Sequence, residues 1–120
     1  MPRYMLLLHE APATGPAPDL SPEDIQAVIN RYKAWRQSLG ARIQLGEKLK
    51  EEGGQALRRE GSAGKPGKVR ILDGPYTEAK EILGGFFILE AGGYDEAARL
   101  SESCPHLDFG WIQVREIEET

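Results

Sequence analysis

Two side chains suited to moving a proton sit at informative places in this sequence. His9 closes the apolar run Arg3–His9 (R-Y-M-L-L-L-H). Asp73 lies at the start of the densest polar stretch, Leu72–Gly85 (L-D-G-P-Y-T-E-A-K-E-I-L-G-G), which has apolar runs on both sides. Imidazole is well matched to proton transfer near neutral pH, and a carboxylate can act as a base itself or orient an imidazole. Asp73 and His9 are therefore each candidates for acid–base work. Tyr76, Lys80 and Glu81 in the same stretch, with Arg115 in the last apolar run, are candidates for holding a ligand. The two cations would do so through an anionic group. Each residue also has a plainer reading. Asp73-Gly74-Pro75 is good turn chemistry. Thr77–Leu83 fits a short helical turn carrying i,i+4 contacts on a solvated face. His9 could simply end its strand, Arg115 could snorkel to a sheet edge, and His106, just after Cys104-Pro105, reads as a loop residue.

Composition narrows the classes. The chain has 120 residues, suited to one domain, with 40% hydrophobic and 28% charged residues, as in a soluble globular fold. Its net charge of -4 argues against direct nucleic-acid binding as its main work, while leaving room for a small anionic ligand. The lone Cys104 allows no intrachain disulfide, which fits a reducing, cytoplasmic setting. Met5–Leu8 is too short for a signal core or a membrane span. No clustered ligand spacing points to a metal, and no phosphate loop or dinucleotide fingerprint is present, so no cofactor is expected.

The elements that must position these residues follow from periodicity. Arg3–His9 reads as a buried strand, and Ala11–Leu20, with three prolines and a glycine, as a loop. Ser21 caps a helix, with Pro22 at its first position and Asp24 completing a capping box. Ile25, Val28, Ile29, Tyr32, Trp35 and Leu39 give that helix an apolar face, and Gly40 stops it. Ala41–Leu49 reads as a second strand. Ala56–Arg59 and Val69–Leu72 form the arms of a hairpin insertion, about residues 55–72, whose glycine-rich tip Gly61–Gly67 should be mobile. Phe86–Ala91 is a third core strand, Tyr94–Ser103 a second helix stopped by Pro105, and Gly110–Ile117 the last strand.

The order β-α-β-(hairpin)-β-α-β is that of an α+β, ferredoxin-like split βαβ fold. Both helices then cover one face of the sheet. Yet Tyr4, Leu6 and Leu8 alternate with Met5 and Leu7, and Phe86 and Ile88 with Phe87 and Leu89, so both faces are apolar. A second copy packed sheet to sheet is the economical cover, and the chain is expected to form a homodimer through its sheet faces. The alternative is a monomer whose hairpin folds across that face.

The run D-G-P-Y-T-E-A-K-E-I-L-G-G-F-F-I-L-E-A resembles the signature of the YCII-related, or DGPF-domain, proteins. R-Y-M-L-L-L, L-G-E-K-L, Y-D-E-A-A-R-L and I-Q-V-R are similar to the family's other elements, so the resemblance covers nearly the whole chain as a single domain, residues 1–120. Tyr76 replaces the family's usual Phe, and Glu116 stands where Pro is usual. The resemblance implies a dimeric α/β barrel built from ferredoxin-like subunits. It also implies small-molecule chemistry by a His–Asp pair in a cleft. Asp73 matches the motif, whereas His9 is assigned as its partner by inference. Two classes of function stay open. One is a small-molecule enzyme using Asp73 and His9. The other is a non-catalytic ligand-binding or regulatory module, since proteins of this family accompany sigma factors in bacterial transcription.

Overall fold

The computed structural model describes residues 1–11, 20–50, 53–61, 67–73 and 81–120. The elements run β1 (Arg3–Glu10), α1 (Pro22–Leu39), β2 (Ile43–Lys48), β3 (Gln55–Arg59), β4 (Val69–Asp73), β5 (Ile82–Glu90), α2 (Tyr94–Ser101) and β6 (Gly110–Glu116). Short 3₁₀ turns at Gly40–Arg42 and Pro105–Asp108 follow the two helices. Four strands form an antiparallel sheet in the order β2-β5-β1-β6, the split βαβ arrangement, and β3 pairs with β4 in a separate two-stranded sheet.

Local chemistry explains the helix bounds. The Ser21 hydroxyl accepts the Asp24 amide at 3.1 Å, and the Asp24 carboxylate accepts the Ser21 amide at 3.2 Å. This is a capping box with Asp in place of Glu, and it satisfies two amides that the first turn leaves without partners. At the far end Gly40 adopts φ 58°, a left-handed conformation that costs glycine little.

Packing then separates the two sheet faces. Tyr4, Leu6 and Leu8 of β1 and Phe87 and Leu89 of β5 are buried under the helices, together with Trp35, Leu39 and Ala97. The Trp35 ring meets Phe87 edge-on at 5.0 Å, and its indole N–H donates to the Leu100 carbonyl at 3.0 Å, so the ring's polar atom is satisfied. Met5, Leu7, Phe86 and Ile88 on the other face stay only half-buried, and Trp111 and Gln113 beside them are exposed. Ile112 and Val114 pack toward the core while Trp111, Gln113 and Arg115 take the open face.

Several expected boundaries shift. The third core strand starts at Ile82, four residues earlier than its apolar run suggests, so Gly84-Gly85 lies inside a strand and Ile82-Leu83 are not helical. Tertiary pairing with β1 overrides the local glycine signal there. The second helix ends at Ser101, and Pro105 opens a 3₁₀ turn. Most of the expected loop Ala11–Leu20, the centre of the hairpin tip Gly61–Gly67, and the segment from Gly74 to Lys80 lie outside the described residues. Among the described residues no helix is long and apolar enough to cross a membrane.

Candidate active site

A cleft of about 500 Å³ opens between α1 and the helix-covered face of the sheet, at the end where β1 finishes. Its floor exists because glycines stand where side chains would fill it. The Phe87 ring lies across Gly46 so closely that a Cβ there would sit 2.3 Å from the ring. On β5 the pairing passes from Gly85 opposite Leu8 to Leu83 opposite His9, leaving Gly84 as the extra residue of a bulge. A Cβ on Gly84 would lie 2.7 Å from a Glu10 carboxylate oxygen, so the bare glycine makes the seat for that carboxylate. The Gly-Gly pair thus gives close approach within the sheet instead of a turn.

The roof is the apolar stripe of α1, with Ile25, Val28 and Ile29 above the floor residues Leu8 and Phe87. Polar groups punctuate this lining. Tyr32 reaches in from α1, Glu10 from the end of β1, and Arg36, Glu47 and Lys48 stand around the rim. Burial pushes the Tyr32 phenol up to about 12, with smaller contributions from Cys104 and from the Glu10 charge. At ordinary pH Tyr32 is therefore a fixed hydrogen-bond donor. The Arg36 guanidinium lies 5.8 Å from the Phe87 ring centroid, a cation–π contact that holds it over the apolar floor.

His106 forms part of the end wall. It is buried, and its Nε2–H donates to the His9 carbonyl at 2.8 Å. This bond ties the 3₁₀ turn to the end of β1. Gly110 completes the contact, since a Cβ there would come within 2.0 Å of the His9 oxygen. Cys104, next to this turn, is buried, and burial pushes its thiol up, so it is poorly suited to act as a nucleophile.

The residues singled out from sequence lie elsewhere. His9 sits on the open face, stacked on Trp111 with ring centroids 4.3 Å apart. Its Nε2 is buried without a hydrogen-bond partner among the described residues. Asp73 ends β4 on the separate hairpin, exposed, with the Gln55 amide at a long 3.5 Å. No hydrogen bond joins Asp73 to His9 among the described residues. Glu81 is exposed just before β5, and Arg115 is exposed on β6. Tyr76 and Lys80 lie outside the described residues. The same cleft brings together Glu10, Tyr32 and His106, which sequence reasoning passed over as a strand end, a helix-stripe residue and a loop residue. A polar phenol within an apolar stripe, one turn before Arg36, was the available signal.

Among the described residues, no three His, Cys, Asp or Glu side chains stand close enough to hold a metal ion. The cleft offers proton transfer and hydrogen bonding: a carboxylate as acceptor, a phenol as donor, cations at the rim and an apolar wall.

The family model of the YCII-related domain matches residues 3–120. A search of the curated proteins finds no match. Among solved structures, the chain is similar to the 5-chloro-2-hydroxyhydroquinone dehydrochlorinase TftG from Burkholderia phenoliruptrix AC1100, in complex with 2,5-dihydroxybenzoquinone. That match has 18% sequence identity and a TM-score of 0.48, covering 98% of this chain and 95% of that one.

Proposed function

The chain belongs to the YCII-related domain family, and on that premise we propose that it is a small-molecule enzyme whose substrate enters the cleft under α1. One observation carries the reading: a carboxylate and a phenol whose pKa burial raises share a cleft that is otherwise mostly apolar. Its volume falls in the range of sites for drug-sized ligands, roughly 300–1,000 Å³. Glu10 is the base, taking a proton from a substrate C–H or O–H bond. Tyr32 donates to the oxygen on which negative charge collects, as a preorganised donor does in an oxyanion site. Arg36 and Lys48 at the rim attract an acidic substrate. A calorimetric screen of small carbonyl and phenolic acids should yield binders, and turnover of those binders should fall about 10²–10⁴-fold in Glu10→Gln with binding kept. Full activity in Glu10→Gln, or binding that ignores Tyr32→Phe, would sink this reading.

A second reading rests on the His9 Nε2, which has no hydrogen-bond partner among the described residues. A buried imidazole nitrogen without a partner is costly, and a carboxylate is its natural complement. Here Asp73 supplies that carboxylate and forms the acid–base pair with His9, while Tyr76, Lys80, Glu81 and Arg115 hold the substrate. Turnover of a bound substrate tests it: Asp73→Asn and His9→Gln must each abolish it, and full activity in either variant excludes the pair. Under either reading the half-buried apolar open face is covered by a second copy, giving a homodimer through the sheet faces.

A further inference from the structure

The cleft under α1 holds opposite charges that do not meet. Glu10 and Arg36 both line it, yet among the described residues neither joins an ion pair. The backbone explains the gap. The Glu10 carboxylate sits over Gly84, whereas the Arg36 guanidinium lies 5.8 Å from the Phe87 ring centroid. Gly84 and Phe87 are three residues apart on β5, about 10 Å at the rise of a strand. The helix gives a second measure. Tyr32, whose phenol feels the Glu10 charge, precedes Arg36 by four residues, about 6 Å along a helix axis. Phenol and carboxylate thus make one pole of the cleft and the guanidinium the other, with Leu8, Val28 and Phe87 in the apolar lining they share.

Each pole has its own preference. A hydroxyl between Tyr32 and Glu10 accepts the phenol's hydrogen bond and donates its own to the carboxylate. At the other pole the planar guanidinium matches a carboxylate with two parallel bonds, and its contact with Phe87 holds it in place. Lys48 is a weaker candidate for that carboxylate. It ends β2 as a flexible point charge, with the acid Glu47 next to it in the chain.

We propose that Arg36 determines specificity by taking the carboxylate of an elongated acid, whose hydroxyl at the opposite end of an apolar body lies between Tyr32 and Glu10. The inference rests on the cleft reading proposed above and adds a length requirement to it. An acid whose carboxylate and hydroxyl are adjacent reaches one pole and leaves the other empty.

Calorimetric titration at neutral pH with para-hydroxybenzoate and ortho-hydroxybenzoate tests this on the unaltered protein. The isomers carry the same groups, set apart in one and adjacent in the other. The para isomer should bind about tenfold tighter or more, the order expected for one charge-assisted pair gained. Its neutral amide, para-hydroxybenzamide, should lose a similar factor. Arg36→Met keeps an apolar stem over Phe87 and should abolish the preference for the acid over the amide. Lys33→Met removes a charge from an exposed position on α1 outside the cleft lining and should leave that preference intact. Equal affinity for the two isomers, or equal losses in Arg36→Met and Lys33→Met, overturns the length requirement. In that case, weaker binding to Tyr32→Phe leaves the cleft reading standing, whereas binding that ignores Tyr32→Phe overturns both. Failure of either isomer to bind also overturns the inference, and it takes the cleft reading with it only if every acid in the wider screen fails.

Discussion

Single residues decide whether the cleft exists, and the most telling are those with the least side chain. Gly110→Ala would drive a methyl group into the His9 carbonyl, which is backbone and cannot swing away. A loss of about 1–3 kcal/mol or more in urea unfolding is expected. Tyr32 supplies a pH test. Its folded-state pKa is raised to about 12, above its ordinary value of 10.0, so its contribution to stability is complete below pH 10 and is lost as pH rises through the folded value. Tyr32→Phe should remove the latest step from the tyrosinate absorbance titration and flatten the alkaline fall in stability. Glu96 works in the opposite direction. The Gly92 amide and the Arg42 guanidinium hold its carboxyl below the usual carboxylate range. The stability it adds is present above the ordinary carboxyl value and disappears as pH falls through the folded value. Unfolding midpoints of Glu96→Gln and the unaltered protein should differ at neutral pH and converge in acid.

At the level of elements, capping and periodicity carry most of the fold. Ser21→Ala removes the hydroxyl that accepts the Asp24 amide and should cost about 1 kcal/mol, read from the shift in the unfolding midpoint. That cap was legible in the sequence, as were the apolar stripe of α1 and the alternation of Ile112 and Val114 against Trp111 and Gln113, because each is a local pattern with one structural solution. The start of β5 was not legible. Gly84-Gly85 signals a break locally, but the long-range ladder with β1 absorbs the extra residue as a bulge. The cleft was hidden for the same reason. Glu10, Tyr32 and His106 lie far apart in the chain, and only the pairing of β1 with β5 and the docking of α1 bring them together. Asp73 and His9 stood out because their residue types are chemically conspicuous, a signal that carries no information about which face or which sheet they occupy.

The whole molecule is thinner and more extended than its length requires. It measures 48 × 42 × 18 Å with a radius of gyration of 17.3 Å, where a compact chain of this length would have about 14 Å. One sheet face is closed by helices and the other carries Met5, Leu7, Phe86 and Ile88 only half-buried. If a second copy covers that face, Leu7→Glu should turn a sedimenting dimer into monomer while leaving the circular-dichroism spectrum of the fold in place. A charge in the middle of a shared apolar face has no partner there, so the assembly is lost before the subunit is. An unchanged sedimentation coefficient would assign the open face to some other cover.

The bulge at Gly84 makes fold and site separable by length alone. Deleting Gly84 would leave Leu8 opposite Gly85 and His9 opposite Leu83 in one regular ladder, with every neighbouring side chain on the face it already occupies. The strand would lose a kink and some twist, and the Glu10 carboxylate would lose its seat. A chain of 119 residues is thus expected to fold, and a family member with a one-residue gap at this point would keep the architecture while losing the room for that carboxylate.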